Sequence, residues 1–371
     1  MTDVYTLYGI THSLYTGRAR SYLIKNGITF RELSTGHESF KAEVLPQAKL
    51  PTIPALLTPG GDVIRDGAAI IEYFEADNGR HNRPEGPRQQ IVSTLFDVIG
   101  TDGLLRPAMH YRWNFQEENL AFIRYHFFYS QRETPTRDDK TEAMMQRMQH
   151  VARIWGVNEE TGDLVEALYL EYLEALNKHF EQYPYLLGWR PCIGDYGLLA
   201  PMYAHLGRDP YPGRIMQQQA TRVYRWVERM NRPDQDAPEY FDAQEGFLSD
   251  DEVPQSLLNV LKVIAEDFVP ETEAAATAIN QWLQENQPDV GAAADRMLNK
   301  CEFVLRGQAI SSVSQPYRFF LLQRVQSLYE AMNAEDQASV QKMLANCGME
   351  NILAIKLSRD IGQSENLEVW V

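Results

Sequence analysis

The chain of 371 residues reads as a small α/β N-terminal domain, an all-α C-terminal domain and an additional helical extension. Three observations predict this. Short β-branched and aromatic runs alternate with helical patterns up to about Asn78. From Gln89 onward apolar residues recur at three- and four-residue spacing, the signature of amphipathic helices. Beyond Arg232 the composition turns acidic and proline-containing before helical spacing resumes. The predicted boundaries are 1–78, 88–232 and 233–371, with the last segment mainly helical and acidic.

Val4 to Tyr8 forms the first strand, ended by Gly9. The spacing of Ala19, Tyr22 and Leu23 predicts a helix over Thr16 to Asn26, closed by Gly27. Thr29 to Leu33 is a second strand, and a loop runs on to Lys49. Leu50 to Leu56 is an apolar strand entered through Ile53-Pro54. A tight turn at Pro59, Gly60 and Gly61 leads to another short strand, which runs into a helix beginning at Asp66 and Gly67. β-α-β followed by β-β-α is the thioredoxin-like order, a small mixed sheet with helices on its faces.

Asp77 to Arg88 is a linker by composition. Helices are predicted over Gln89 to Trp113, Glu117 to Gln131, Leu164 to Tyr183, Cys192 to Leu206 and Met216 to Met230. Val165, Leu168, Tyr169, Tyr172, Leu176 and Phe180 make the clearest stripe among them. Asp234 to Val253 reads as a long connection. Further helices are expected over Pro254 to Phe268, Thr272 to Glu285, Ala292 to Phe303 and Pro316 to Leu344. Gly307-Gln308 and Gln315 to Arg318 read as loops, and Leu353 to Val371 has no diagnostic pattern.

A net charge of −16 argues against a nucleic-acid partner, because phosphate binding needs clustered Lys and Arg. Asp234 to Lys300 holds fifteen acidic residues against three basic ones, read here as one solvated acidic face. The start of the chain lacks the basic and apolar pattern of a signal peptide. No apolar run approaches the roughly 20 residues of a membrane span. A soluble cytoplasmic protein without a membrane partner is the expectation. Cys192, Cys301 and Cys347 are too scattered for a disulfide framework or a metal site, and read as buried thiols.

The loop from His12 to Arg20 opens the first helix. A helix start carries free backbone N–H groups and the positive end of the dipole, which favour an anion such as a thiolate. Ser13 stands there, either as the helix cap or as a hydroxyl aimed at that anion. Tyr8, at the end of the first strand, and Thr16 are the alternatives. His12 reads as a surface residue.

Ser13, Tyr15, Arg18 and Arg20, together with Ile53-Pro54 and Asp66-Gly67, resemble the glutathione-binding half of the glutathione transferase superfamily. The resemblance spans residues 4 to 232, since Gly188 to Leu199 is similar to that superfamily's C-terminal capping element, with Asp195 in place and Cys192 at the cap. It implies an enzyme that uses glutathione as co-substrate and no metal. Ser13 would stabilise the thiolate, and a cis Ile53–Pro54 bond would let the Ile53 backbone pair with the peptide. Asp66 and the Gly67 N–H would hold the γ-glutamyl end, with Arg18, Lys49 or Arg65 near the glycine carboxylate. It further implies a homodimer and a small hydrophobic electrophile in a pocket lined by His110, Tyr111 and Trp113. Leu14 stands where the family often has Pro, and Gly67 where it usually has Ser. The alternatives are a non-catalytic binding or structural protein of this fold, or a glutathione-dependent lyase or reductase.

Overall fold

The computed structural model describes residues 4–77, 81–242 and 244–371. Its first domain comprises β1 (Tyr5–Tyr8), α1 (Leu14–Lys25), β2 (Phe30–Leu33), α2 (Leu45–Ala48), β3 (Ala55–Leu57), β4 (Val63–Arg65) and α3 (Gly67–Asp77). The sheet order is β2-β1-β3-β4, with β1 parallel to β2 and β3 antiparallel to both neighbours. This is a thioredoxin-like domain. Alternation along β1 sends consecutive side chains to opposite faces. Leu7 joins Tyr22, Leu23, Ile70 and Phe74 in the core formed with α1 and α3. Tyr8 joins Phe40, Val44, Ala48 and Ala55 on the other face. The segment before Lys49, expected as a loop, contains a π-helical turn at Phe40–Val44 leading into α2.

The helical region follows as α4 (Pro87–Val98), a π-helical turn at Ile99–Gly103, α5 (Leu105–Trp113), α6 (Gln116–Ser130), α7 (Arg137–Ile154), α8 (Gly162–His179), α9 (Ile193–Ala204), α10 (Pro210–Gln219) and α11 (Thr221–Met230). Helix α7 escapes the periodicity reading because its buried stripe is narrow, only Thr141, Met145 and Ala152. The expected helix over Gln89 to Trp113 is interrupted by the π turn, where α9 crosses closely. A Cβ on Gly100 would lie 2.2 Å from the Gly197 carbonyl carbon, so no side chain fits there. At the start of α9, Asp195 accepts from the Cys192 N–H at 2.9 Å and from Trp226 Nε1 at 2.9 Å. With cysteine at the cap position, this carboxylate closes the end of the helix. Burial raises its pKa to about 6.

The extension departs most from the sequence reading. Pro254 to Glu285 is one helix, α12 (Gln255–Asn286), which passes through Pro270 without a break. A proline removes one backbone hydrogen bond. Here the flanking Phe268, Val269, Glu271 and Thr272 are all buried, and their packing holds the helix on both sides of it. Ala292 to Phe303 is not a helix. Lys300–Leu305 is β5, paired with β6 (Gln308–Val313), and its residues alternate exposed and buried. Arg306 and Gly307, both at positive φ, form the two-residue turn typical of such hairpins. The expected Pro316 to Leu344 helix divides into α13 (Pro316–Glu330) and α14 (Ala334–Ala345). A second hairpin, β7 (Ile361–Ser364) and β8 (Leu367–Trp370), turns at Glu365 and Asn366. The extension is therefore mixed rather than purely helical.

Its acidic residues are not one solvated face. Asp251 meets Arg88, Asp236 meets Arg225, and Asp267 and Glu271 meet Arg106. Glu271 also holds Arg318 at 2.8 Å, and Arg318 pairs with Asp102 of the π turn. Many of these acids neutralise arginines of the preceding helices. The same apolar core runs from Leu7 to Trp370.

The tightest tie to the first domain is at Arg65. Its guanidinium is fully buried and makes paired hydrogen bonds to Glu368 of β8, at 2.8 and 2.7 Å. Beside it, Asn366 accepts from the Arg65 N–H at 3.2 Å and donates to the Val63 carbonyl at 3.0 Å. Removing one member of a buried ion pair strands the other without solvent. Glu368→Ala is expected to lower the unfolding free energy by about 3–5 kcal/mol, measured by urea denaturation. A loss below about 1 kcal/mol would show that the pair does not anchor the extension.

Candidate functional site

Three segments far apart in sequence meet where α1 and α3 begin. A Cβ on Gly67 would lie 3.3 Å from the Tyr15 carbonyl oxygen, 3.4 Å from Arg18 Cδ and 3.8 Å from Pro54 Cγ. The helix starts and the proline loop are thus in contact, and Gly67 lets them approach. Ser13 is the residue before α1, with extended backbone, and its Oγ accepts from the Thr16 N–H at 3.3 Å. It caps the helix with a lone pair, and its O–H proton has no acceptor among the described residues. The cap and activator readings of Ser13 are compatible.

The Ile53–Pro54 peptide is cis. The Pro54 carbonyl accepts from the Asp66 N–H at 3.0 Å. The N–H and C=O of Ile53 itself have no hydrogen-bond partner among the described residues. Asp66 has φ of 89°, a left-handed conformation that side-chain-bearing residues rarely adopt. Its Oδ1 accepts from the Ala68 N–H at 2.8 Å and from the Tyr317 hydroxyl at 2.7 Å. These bonds hold the turn against the cost of that backbone, of order 1–3 kcal/mol. The N–H groups of Gly67 and Ala69 are unpaired among the described residues, leaving the start of α3 able to receive an anion.

Several candidates lie elsewhere. The Tyr8 hydroxyl bonds Ser39 at 2.8 Å on the far face of the sheet, so it is turned away from Ser13. Thr16 is buried under Gly9, where a Cβ would come within 2.2 Å of its Cγ2. Neither is placed to act on a thiol. Arg18 is consumed between the domains by Asp97 and by Thr101 Oγ1 at 3.0 Å. Lys49 makes an exposed ion pair with Glu365 at 3.4 Å, and Arg65 is committed to Glu368.

The expected second-substrate wall is core. His110 bonds Glu166 at 2.8 Å and Asn114 at 2.9 Å. Tyr111 stacks among Phe115, Tyr169 and Tyr211. Trp113 packs with Met109, Phe127 and Met145. On a helix, consecutive residues point about 100° apart, and here every direction meets another element. The neighbour that reaches the site loop is Arg112, whose Nη1 donates to the His12 carbonyl at 3.0 Å while Asp209 holds its other edge.

His12, expected at the surface, is 3% exposed and packs against Phe127 and His126. Burial, then the nearby Arg112, pushes its pKa well below the ordinary value.

Sequence reasoning gave no role to Asp102 or Arg296, took Tyr15 only as a motif position and read Tyr317 only as part of a loop. Burial and then the Asp102 carboxylate push the Tyr15 pKa up, so Tyr15 stays a protonated hydroxyl. Burial and then Asp66 do the same to Tyr317. Arg296 lies over the Tyr317 ring, 5.8 Å from its centroid. Nothing local marks these roles, because long-range packing brings the residues together. Among the described residues no cluster of His, Cys, Asp and Glu could hold a metal, and no helix is long and apolar enough to cross a membrane.

The sheet order, the cis proline and the two helix starts define a thioredoxin-like domain. Residues 12–77 match the family model of the glutathione S-transferase N-terminal domain. Solved structures with related folds include a glutathione transferase from Phanerochaete chrysosporium, 15% identical, with 62% of this chain and 97% of that one covered at a TM-score of 0.42. The beta-etherase LigF from Sphingobium sp. strain SYK-6 is 16% identical over 61% of this chain and 94% of that one, at a TM-score of 0.42. Gtt2 from Saccharomyces cerevisiae is 16% identical over 62% and 97%, at a TM-score of 0.37. Likenesses this distant do not bear on the chemistry of this chain. No curated protein sequence matched it.

Burial also gives the structure a direction of acid sensitivity. His126 and His179 are pushed down to about 4, and His12 and His205 are lowered as well. The unfolded chain takes up these protons near pH 6.5, while the folded chain does not until near pH 4. The unfolded state therefore binds more protons in that window, and stability present above about pH 6.5 is lost as pH falls towards about 4. Denaturation midpoints should drop between about pH 7 and pH 5, and His179→Gln should flatten the profile even if it lowers the plateau. An unchanged slope in that variant would remove His179 from the cause.

Proposed function

We propose that the chain binds glutathione in the cleft between α1, Pro54 and α3, and activates its thiolate for attack on a small hydrophobic electrophile. The observation that carries this is the unpaired backbone of Ile53 lying between two open helix starts. A peptide can pair with Ile53, place its γ-glutamyl end at Gly67 and bring its thiol towards Ser13. The Ser13 hydroxyl, with its oxygen already accepting from Thr16, has its proton to donate to sulfur. A hydrogen bond to a charged acceptor contributes about 1.5–3 kcal/mol, or a thiol pKa lowered by roughly 1–2 units. The N–H groups at the start of α1 add to this in the same direction.

Gly67 sits in close packing, where a Cβ would lie 3.3 Å from the Tyr15 carbonyl oxygen and 3.4 Å from Arg18 Cδ. With no hydroxyl at this position, the carboxylate would be held by N–H groups alone on that side. One observation favours a second reading, a binding protein of transferase fold without catalysis: Tyr317 already occupies one oxygen of Asp66. A homodimer belongs to the proposal by family resemblance only.

Calorimetric titration with glutathione, with the thiolate followed by its ultraviolet absorbance, separates the readings. Millimolar or tighter binding is expected, with a bound thiol pKa about 1–2 units higher in Ser13→Ala than in the native protein. No binding at about 10 mM glutathione, a concentration at which even a millimolar site would be mostly filled, sinks the glutathione reading. Binding with an unshifted thiol in both proteins supports the non-catalytic one.

A further inference from the structure

We infer that Arg208, held by His126, is a positioning residue for Ser13: it fixes the turn that delivers the hydroxyl, and acts on a bound thiol only through it. This inference rests on the reading of Ser13 as the group that stabilises a glutathione thiolate.

Ser13 reaches the start of α1 through a single turn. The Ser13 N–H donates to the Ile10 carbonyl at 3.1 Å, which closes the turn over Thr11 and His12. The carbonyls of Ile10, Thr11 and His12 all accept from arginines, each from a different element. Arg20 of α1 donates to Ile10 at 3.4 Å, and Arg112 of α5 donates to His12 at 3.0 Å. Between them, Arg208 of the connection from α9 to α10 donates to Thr11. Hydrogen bonds from charged donors are roughly twice as strong as neutral ones. Three of them on successive carbonyls restrict the turn, and with it the residue at its end.

The three arginines are not equivalent. Arg20 is paired with Glu32 of β2, and Arg112 with Asp209, both at 2.6 Å. Those two tie elements of the fold together whatever the turn does. Arg208 has no ion pair among the described residues. Its Nη2 meets Nε2 of His126, on α6, at 3.2 Å, and His126 Nδ1 meets the Thr11 hydroxyl at 3.0 Å. A guanidinium only donates, so Nε2 accepts and Nδ1 carries the proton to Thr11. Thr11, Arg208 and His126 thus close a ring that grips Thr11 by its carbonyl and its side chain together. The guanidinium also lies over the Phe122 and Tyr203 rings, 5.6 and 5.4 Å from their centroids, which restrains it further.

The ring of bonds requires a neutral imidazole, and its surroundings keep it so. Arg208, Arg112 and His12 stand around His126, while Asp209 is taken by Arg112. Burial, then Arg208, pushes the His126 pKa down to about 4. Thr11 is exposed, so its carbonyl can turn to water when Arg208 is removed. No carboxylate is stranded by that change. The fold loses little, and the turn loses its hold at one residue, two positions before Ser13.

The test asks whether Arg208 acts through Ser13. The native full-length chain is compared with Arg208→Met, Arg208→Lys, Ser13→Ala and the double variant Ser13→Ala/Arg208→Met, with circular dichroism confirming the fold of each. S-methylglutathione, which has no thiol, reports binding by calorimetry. Ultraviolet absorbance reports the thiol pKa of bound glutathione. Arg208→Met should raise that pKa by about 1 unit, part of the contribution of the Ser13 hydroxyl, and leave the affinity for S-methylglutathione unchanged. Arg208→Lys should recover part of the shift. The double variant should match Ser13→Ala alone, because effects routed through one group do not add. An unchanged pKa in Arg208→Met, additive shifts, or weaker S-methylglutathione binding overturns the inference while the glutathione reading stands. If the native chain binds no glutathione, that reading falls, and hydrogen exchange over Ile10 to Ser13 decides whether Arg208 fixes the turn. Exchange faster by about 10-fold or more in Arg208→Met, the size of one charge-assisted hydrogen bond, would keep that part of the inference. Unchanged exchange would overturn it.

Discussion

A guanidinium buried at the edge of the first sheet has no water to turn to, so it requires a carboxylate at the same depth. Arg65 obtains one from Glu368, about three hundred residues later in the chain. Much of the arrangement around the site follows from that requirement. The pair brings β8 onto β4, and the backbone of β8 in turn pins the strand-like segment carrying Arg296. It also fixes the residue immediately before Asp66, whose left-handed backbone opens α3. A free extension could not provide this. The pair joins the C-terminal residues to the thioredoxin-like domain as one packed unit.

The same logic of mutual dependence holds at Gly67. Two helix starts and a proline loop lie side by side here, and the glycine between them eases the fit. Close approach concentrates unpaired N–H groups in a small volume, and that is the electrostatic resource of the site. Glycine at this position also lacks the hydroxyl that the superfamily usually places there.

Much of the first domain was legible because its determinants are local. The strand-turn-strand rhythm, the proline after Ile53, the polar Ser13 before an apolar helix face and the Asp66-Gly67 helix start each announce themselves within a few residues. The helical region was legible in outline, but the facing of its side chains was not. His110, Tyr111, Arg112 and Trp113 follow one another on α5, and the family resemblance implied a pocket at three of them, His110, Tyr111 and Trp113, where the structure has buried partners. The hairpin at Lys300 to Val313 was misread because Ala292 to Leu298, before it, carries helix-forming residues. Arg296 gave no signal at all and Tyr317 only that of a loop, since their meaning lies in what they touch across the fold.

The turn between β7 and β8 has a consequence for assembly. β4 is the last strand of its sheet, and an unpaired outer edge is a template for another strand. Here the amide side chain of Asn366 answers that edge, taking the N–H of Arg65 and giving to the carbonyl of Val63. One side chain thus imitates a neighbouring strand for the length of one residue pair, and the short strand offers little beyond it. Association between copies by sheet extension is closed on this side. An oligomer of this chain would not share backbone hydrogen bonds along β4.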